Sequence, residues 1–467
     1  MRSEVPSDRC IVPTRKRIRR ADTRGSALLI ALIFLALFAS MAVAIAAASD
    51  VNLTIARNRI ESHQASALAE TGILLLMQSL GGATIPETDA AEDLHEAVAS
   101  RLADAWEDST MLNADDITAD ADGVYFPTIA LTLADGRSGT LELSFQADGG
   151  ASLLPTITVG STGRFGNAVR EVTYKMTTAD GWALLAKYGL ASHSRVQMSG
   201  NARIEGATSD SEGSILSATY SYDQAVSLTG NVRISGDVAV SNPDGQIKKT
   251  GNVNIGGEEI IGASEPPWPE VDPSVFEPYI ESTLSGSTSG KKTFTNVRIP
   301  AGTNPTFSGK TTINGVLYIE APNNVEFAGN TTVTGVIVAE KPEVENLSAN
   351  QVRFTGNMST AGVESLPNQP RFAGLRDLTG SFLLADGYAA SFTGNFNTIN
   401  GCMVASKFSL TGNAGGTVHG GVINTSDSDF SMTGNARLTI QKDETNSRPA
   451  GVRSSYILVC VSGSYEE

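Results

Sequence analysis

The clearest feature in the pattern of hydrophobic and polar residues along this chain is one uninterrupted apolar run near the N-terminus. Residues 27–48 contain Ser40 as their only polar side chain, and a basic leader ends just before them at Gly25. A run of 22 residues is long enough to cross a hydrocarbon core of about 30 Å as a helix. We therefore predict a membrane-spanning helix near the N-terminus.

The apolar pattern continues beyond this run at broadly helical spacing. Residues 50–80 contain no proline and a single glycine, Gly72. This pattern predicts one continuous helix over 26–82, with its regular part from Ser26 to Gly81 and roughly 80 Å long at 1.5 Å per residue. A detachable secretion signal has no need of such an extension.

Charge predicts the orientation of this helix. Residues 1–25 carry eight basic and three acidic side chains, and the chain as a whole has a formal net charge of −16, so that the remainder carries −21. The positive-inside bias places the leader in the cytoplasm and the body outside the inner membrane, in the periplasm or beyond. An acidic body of this kind repels nucleic acid, and we expect no nucleic-acid partner.

Three hypotheses describe how the N-terminus is processed. A secretory signal would be cut after Ala46-Ala47-Ala48, a prepilin-type signal would be cut on the cytoplasmic side after Gly25, and an anchor would not be cut. Signal h-regions usually run for about 7–15 residues, which is shorter than this one. Together with the helical continuation, this favours the prepilin-type signal.

Two short elements carry a family resemblance. The segment from Arg24 to Gly72 resembles the N-terminal domain of PilX-type minor pilins, in the type IV pilus and type II secretion pilin superfamily. The first matching element is Arg24-Gly25 with the apolar residues 27–32, and the second is 65–72, which is similar to the family's Ala-x-x-Ala-Glu-x-Gly motif at Ala69, Glu70 and Gly72.

This resemblance implies the processing and the partners of the chain. Prepilin peptidase would cut between Gly25 and Ser26, and Ser26 would become a methylated N-terminus. The helix would contact other pilins or pseudopilins after leaving the membrane. Major pilins carry a glutamate at the fifth mature position, where this chain has Ile30. That departure favours a tip or low-abundance subunit.

Residues 83–182 predict an α+β head. An acidic helix over 88–108 is followed by strands over 124–133, 139–146, 154–162 and 168–176, with a turn at 163–167. The last two strands alternate in polarity and predict a hairpin. The resemblance implies that such a sheet packs on the exposed half of the long helix.

A short Gly-Asn motif recurs after residue 182. The glycines that lie closest in the chain are 18 to 22 residues apart, and alternating runs usually follow them. This period is typical of a β-solenoid, in which Gly and Asn turn the same corner on each coil. The predicted corners are Gly200-Asn201, Gly230-Asn231, Gly251-Asn252, Gly329-Asn330, Gly356-Asn357, Gly394-Asn395, Gly412-Asn413 and Gly434-Asn435.

The repeats also predict internal order in the solenoid. Stacked asparagines could form an amide ladder, and four phenylalanines that precede the corner glycines would form one inward column: Phe307, Phe327, Phe354 and Phe392. We predict solenoid coils over 183–262 and 297–467, separated by a Pro/Ser/Gly-rich excursion over 263–296. A last strand, 456–461, either caps the solenoid or returns to the head.

Candidate chemistry is sparse. The four histidines (His63, His95, His193 and His419) have no second histidine at metal-ligand spacing, and residues 118–123 match a calcium loop only in part. Cys402 and Cys460 could be bridged or free, while Cys10 would leave with the leader. We therefore predict no metal, no cofactor and no enzymatic activity.

The sequence favours a minor pilin or pseudopilin-like subunit that carries a β-solenoid for adhesion, spacing or tip display towards an unknown surface ligand. Two alternatives remain. One is a membrane-anchored, self-assembling scaffold similar to bactofilin-type β-helices, and the other is a secreted β-helix enzyme that acts on glycans.

Overall fold

The computed structural model describes residues 24–80, 84–85, 91–107, 109, 112–132, 136–147, 156–442, 447–461 and 463–466. Residues 1–23 of the predicted leader, with Cys10, and the predicted helix end at Gly81 lie outside these ranges. The predicted fold class is confirmed: a long N-terminal helix is followed by an α+β head and an all-β solenoid.

The described part of the head and its N-terminal extension contains three α-helices. They are α1 (Arg24–Leu80), α2 (Ala91–Ala105) and α3 (Gly181–Leu185), and a 3-10 turn covers Ala114–Asp116. Helix α1 has 57 residues, which corresponds to about 85 Å at 1.5 Å per residue. The absence of proline over its whole length lets the hydrogen-bond ladder continue from the apolar run into the head.

The head sheet is antiparallel. Its first seven strands are β1 (Thr84–Ile85), β2 (Thr118–Ala119), β3 (Val124–Tyr125), β4 (Ile129–Thr132), β5 (Ser138–Ala147), β6 (Thr156–Phe165) and β7 (Ala168–Asp180). The predicted hairpin is confirmed as β6 and β7, with Phe165 opposite Ala168. Its turn is shorter than predicted, because Gly163 lies inside β6 and only Gly166 and Asn167 form the loop.

The first solenoid coils follow α3 directly. Their strands are β8 (Leu190–Ser192), β9 (Val196–Gly200), β10 (Arg203–Gly206), β11 (Ile215–Ser217), β12 (Val226–Gly230), β13 (Arg233–Ile234), β14 (Val238–Val240), β15 (Ile247–Gly251), β16 (Asn254–Ile255) and β17 (Glu259–Ile261). Three strands make one coil, and each coil pairs in parallel with the next. A 3-10 turn at Asp210–Gly213 joins the first two coils.

The predicted excursion crosses an outer face of the solenoid. It contains β18 (Glu270–Val271), the 3-10 segment Pro273–Tyr279 and β19 (Ser282–Thr283). Val271 and Phe276 are buried against outward-facing solenoid residues such as Val316 and Tyr318, and Trp268 packs beside them. These apolar and aromatic side chains hold the excursion against the solenoid face. The excursion ends earlier than predicted, because Lys292 already begins a coil strand.

The remaining coils run from residue 292 to residue 441. Their strands are β20 (Lys292–Ile299), β21 (Thr306–Phe307), β22 (Lys310–Ile319), β23 (Asn324–Phe327), β24 (Asn330–Ala339), β25 (Gln351–Phe354), β26 (Met358–Ala361), β27 (Ser381–Phe392), β28 (Asn395–Asn400), β29 (Cys402–Leu410), β30 (Gly415–His419), β31 (Val422–Asn424), β32 (Phe430–Met432) and β33 (Arg437–Gln441). The 3-10 segments Val363–Ser365, Pro370–Phe372 and Leu375–Asp377 cover the same outer face as the excursion.

The order of the coils in space differs from their order in the chain. The last coil, β31 to β33, pairs in parallel with the first coil, β8 to β10. The chain therefore enters the solenoid in the middle of the stack and forms three coils towards one end. The excursion then carries the chain along the outside to the opposite end. From there the remaining coils are added one by one back towards the middle. The first coil is thus paired on both of its sides.

The four predicted phenylalanines form a column in the solenoid core. Ring centroids lie 5.0 Å apart between Phe307 and Phe327, 5.1 Å between Phe327 and Phe354, and 4.7 Å between Phe354 and Phe392, and each pair is stacked. All four rings are at most 2% exposed. In-register parallel coils place equivalent side chains one above another, which is why one column forms.

The last strands connect the solenoid back to the head. Strand β34 (Val452–Arg453) pairs with β18, and β35 (Tyr456–Cys460) lies between β1 and β7 in the head sheet. Of the two predicted roles for this strand, return to the head is the one observed. The predicted solenoid region 297–467 therefore includes a strand of the head, and the whole solenoid is an insertion between two neighbouring head strands.

Candidate assembly helix and display surfaces

Helix α1 has two halves with opposite environments. From Ala27 to Ile60 every side chain is exposed, and large apolar residues such as Leu28, Leu35 and Val43 are 70%, 71% and 69% exposed. The helix is long and apolar enough to cross a membrane. Burying so much apolar surface away from water is strongly favourable, so this half requires lipid or protein around it.

The second half of α1 is part of the head core. Ala65, Leu68 and Ala69 are at most 3% exposed, and Leu76 and Leu80 are fully buried. This 3- and 4-residue spacing puts one face of the helix on the sheet. The head therefore holds the helix by its C-terminal end and leaves the apolar half projecting.

Small residues set how closely the helix approaches the sheet. A Cβ added at Gly163 would lie 2.1 Å from the carbonyl oxygen of Ala65, and one added at Gly72 would lie 2.1 Å from the hydroxyl of Ser161. The motif residues Ala69 and Gly72 thus serve this contact. The role of Gly163 was missed, because the sequence shows it only as part of a turn.

The other motif positions point away from the head. Glu70 is exposed, and Ile30 is 53% exposed within the apolar half of α1. Gly25 and Ser26, the predicted processing site, lie in the first turn of α1. Neither Glu70 nor Ile30 contributes to the head core, so both are available to a neighbouring molecule.

The tip of the β6–β7 hairpin fastens to the helix where its exposed half ends. The backbone N–H of Asn167 donates to the Glu61 carboxylate over 3.2 Å, and the Arg170 guanidinium donates to the hydroxyl of Ser62 over 2.7 Å. These contacts define the boundary between the projecting helix and the head.

The predicted corner glycines turn in two different ways. Gly200, Gly230, Gly251, Gly412 and Gly434 have φ between 69° and 102°, a range that favours glycine. Gly329, Gly356 and Gly394 turn without a positive φ. A Cβ at these three sites would lie within 2.0 Å of the carbonyl oxygen of the stacked glycine, so close stacking requires glycine there.

The corner asparagines form two hydrogen-bonded rows. In the first row, each carboxamide donates to the next in the order Asn252, Asn231, Asn201, Asn435 and Asn413, over 2.9, 3.4, 2.8 and 3.1 Å. In the second row, Asn357 donates to Asn330 over 3.4 Å, and Asn395 lies exposed in the neighbouring coil. The first row crosses the junction between the first and last coils in the chain.

Two chain segments attach the solenoid to the head. The backbone N–H of Trp182 donates to Asp180 and to the hydroxyl of Ser454, over 2.9 and 2.6 Å, and the N–H of Gly181 donates to the carbonyl of Ser455 over 3.0 Å. Because entry and exit are hydrogen-bonded to each other, the solenoid is held by a two-stranded connection.

Glu212 links the first coil of the solenoid to the chain segment that follows the last coil. Its carboxylate is buried and accepts the N–H and hydroxyl of Thr208, both over 2.8 Å, and the N–H groups of Ser209 and Lys442 over 3.2 and 3.1 Å. Burial would raise the pKa of Glu212, but these donors outweigh it and hold the pKa below its usual value of 4.5.

A small cavity lies near the same connection. It has a volume of about 80 Å³ and is bordered by Trp182, Tyr188, Cys402, His419 and Lys442, among others, with room for only a few waters. Burial raises the pKa of the Cys402 thiol to about 12 and lowers the pKa of the Lys442 ammonium to about 8, against the opposing charge of Glu212. The thiol therefore stays protonated at neutral pH.

The remaining candidate groups have structural partners. His95 is fully buried, and its Nδ1 donates to the carbonyl of Asp120 over 2.8 Å while its Nε2 accepts the N–H of Ala147 over 2.9 Å. The Asp120 carboxylate accepts the N–H groups of Asp122 and Gly123, as in an ordinary turn. Cys402 and Cys460 are free thiols.

In the described part of the chain, no group of three or more histidines, cysteines and carboxylates is placed to hold a metal ion. His193 instead contacts Asp427 over 3.1 Å and packs edge-on against Trp268 at 5.2 Å. His63 is exposed on α1.

No family model matches the chain, and the search of curated proteins gives no match. Among solved structures, the competence-associated pilin ComZ from Thermus thermophilus is 12% identical, with 87% of this chain and 97% of that chain covered and a TM-score of 0.24. A likeness at that TM-score carries no information about the fold or function of this chain.

Proposed function

We propose that this protein is a minor subunit of a type IV pilus or type II secretion-type filament, anchored in the inner membrane before assembly, and that it displays the solenoid outside the membrane. The observation that carries this proposal is the division of α1. One half is exposed over Ala27–Ile60 and apolar over residues 27–48, and the other half is built into the head.

The mechanism is a transfer of the apolar helix from lipid to protein. In the membrane, lipid covers the apolar half of α1. In a filament, the same side chains pack against the helices of neighbouring subunits, so their burial is retained. Ile30 adds no charge to this segment, and an uncharged residue is the less costly choice in the bilayer.

The position of the solenoid supports a display role. It is inserted between β7 and β35, and both of its connections are hydrogen-bonded to each other at Gly181 and Ser455. A domain attached in this way moves with the head when the helix leaves the membrane. The proposed role of the solenoid is binding or spacing, without enzymatic chemistry.

The test is the N-terminal sequence of the mature protein. The full chain is expressed in a diderm host with a type IV pilus system, and the membrane and sheared-filament fractions are sequenced from the N-terminus. The proposal expects a start at Ser26, with or without methylation, and the protein in both fractions. A Gly25→Val variant should accumulate uncut in the membrane, whereas the matched control Ala31→Val, inside the apolar run, should be cut normally.

Two outcomes contradict the proposal. A soluble protein that starts at Ser49 would identify a secreted β-helix. A protein that keeps Met1 and assembles without pilins would identify an anchored scaffold.

A further inference from the structure

Three arginines lie side by side on one corner of the solenoid. Arg203 is directly opposite Arg233 in one neighbouring strand and directly opposite Arg437 in the other. Parallel strands are about 4.8 Å apart, so the backbone positions of the three arginines follow the solenoid axis at that spacing. Like charges directly opposite each other destabilise a sheet, so this stripe is not explained by stability.

The acids nearby do not neutralise the stripe. The Glu205 carboxylate contacts both outer arginines, over 3.3 Å to Arg233 and 2.8 Å to Arg437. Arg203, between them, forms no ion pair or side-chain hydrogen bond with any described residue, although it is half-buried. A half-buried guanidinium has five N–H donors in a fixed fork, and these are open to an external acceptor.

The first asparagine row runs parallel to the arginine stripe. Asn201, Asn231 and Asn435 border one open groove together with Arg203 and Arg437. Each carboxamide uses one N–H in the row and keeps a second N–H for another partner. The groove therefore combines guanidinium donors for an anion with amide donors and acceptors for hydroxyl groups.

We propose that this groove binds a linear acidic glycan that carries carboxylates, laid along the solenoid axis with one carboxylate on Arg203. A planar carboxylate accepts two parallel N–H bonds from a guanidinium, and the asparagine row suits the hydroxyl groups of the same chain. The groove is bordered by arginine and asparagine, without the aromatic platforms on which single-stranded nucleic acid stacks.

This inference goes beyond the proposed function and does not depend on where the N-terminus is cut. The experiment uses the full chain in detergent and measures the binding of a hexagalacturonate by calorimetry at low salt. Arg203→Gln keeps a polar side chain and removes the charge. The matched control is Arg353→Gln, because Arg353 is another outward arginine of the solenoid, 44% exposed and 3.9 Å from Glu326.

We expect saturable binding to the wild-type protein, about tenfold weaker or more in Arg203→Gln and unchanged in Arg353→Gln, because one charge-assisted bidentate contact is lost. Binding should weaken as salt is added, and uncharged maltohexaose should bind at least about tenfold more weakly. Melting curves check that both variants are folded.

Three results overturn the inference. The first is absence of hexagalacturonate binding to the wild-type protein. The second is equal weakening in both arginine variants, which would mean unspecific attraction to charge. The third is equal or tighter binding of a single-stranded oligonucleotide of the same charge that also depends on Arg203, which would assign the groove to nucleic acid.

Discussion

The carboxamide of Asn201 donates a hydrogen bond to that of Asn435 over 2.8 Å, although 234 residues separate them in the chain. Asn201 belongs to the first coil of the solenoid and Asn435 to the last. Their contact continues one asparagine row across the point where the chain enters and leaves the solenoid. The two halves of the solenoid are therefore one continuous stack, held to the head at its middle.

An ion pair lies at the end of the solenoid that is formed by strands β15 to β17. Lys249 and Glu259 lie 2.6 Å apart. They occupy the positions opposite Leu228 and Val238 of the preceding coil, both of which are fully buried. Inward charges at the end of a sheet prevent another strand from pairing there. We therefore predict that the double variant Lys249→Leu, Glu259→Val associates end to end.

Light scattering of the purified protein in detergent tests this prediction. The wild-type chain should have one mass over a wide concentration range, and the double variant should show a rising mass. Lys248→Leu is the matched control, because Lys248 is opposite the outward Ser227 and should leave the mass unchanged. A double variant that stays at the wild-type mass would show that this pair does not protect the solenoid end.

The phenylalanine column should contribute strongly to the stability of the solenoid. Phe327 is stacked on both sides, by Phe307 and Phe354. Phe327→Ala leaves a cavity in the core and should lower the free energy of unfolding by about 3–5 kcal/mol. Denaturant unfolding followed by circular dichroism measures the loss. Phe327→Leu should lose clearly less, and equal losses in the two variants would argue against the column.

Close contact between helix and sheet should depend on Gly163. Its added Cβ would lie 2.1 Å from the Ala65 carbonyl oxygen and 2.7 Å from the Ala69 nitrogen. Gly163→Ala should therefore push α1 away from β6 and lower the stability of the head by about 1–3 kcal/mol. Limited proteolysis of the helix–head boundary should detect the loosening. Gly421→Ala, where the nearest atoms lie at 3.7 Å, should leave the digestion pattern unchanged.

The Glu212 carboxylate should make the solenoid connection sensitive to acid. The pKa of Glu212 is lower in the folded protein than its usual value of 4.5. Its stabilising effect is therefore complete above pH 4.5 and is lost as the pH falls through the folded pKa. Glu212→Gln should lower the melting temperature at pH 7, and the difference from wild type should shrink in acid.

Melting curves between pH 7 and pH 3 measure this difference. Glu345→Gln, an exposed residue, controls for the loss of one negative charge. A constant gap between wild type and Glu212→Gln over the whole pH range would contradict a role for the carboxylate.

Local patterns predicted the elements of this protein well. The apolar run and its helical continuation predicted α1, and the alternation in 156–174 predicted the β6–β7 hairpin. Gly-Asn spacing predicted the coils, and the position of Phe327 before its corner predicted the stacked column. These features depend on periodicity, which a sequence displays directly.

The tertiary structure alone decided which segments became neighbours. Any coil with matching corners can pair with any other, so the repeats do not show that Asn201 would meet Asn435, or that Arg203 would lie between Arg233 and Arg437. The strand at 456–460 could equally have capped the solenoid, and its place beside β7 depends on long-range pairing. The repeat period of the sequence determines on which side of a coil each residue lies. The order in which the coils stack depends instead on the total burial and strand pairing of segments that are distant in the chain.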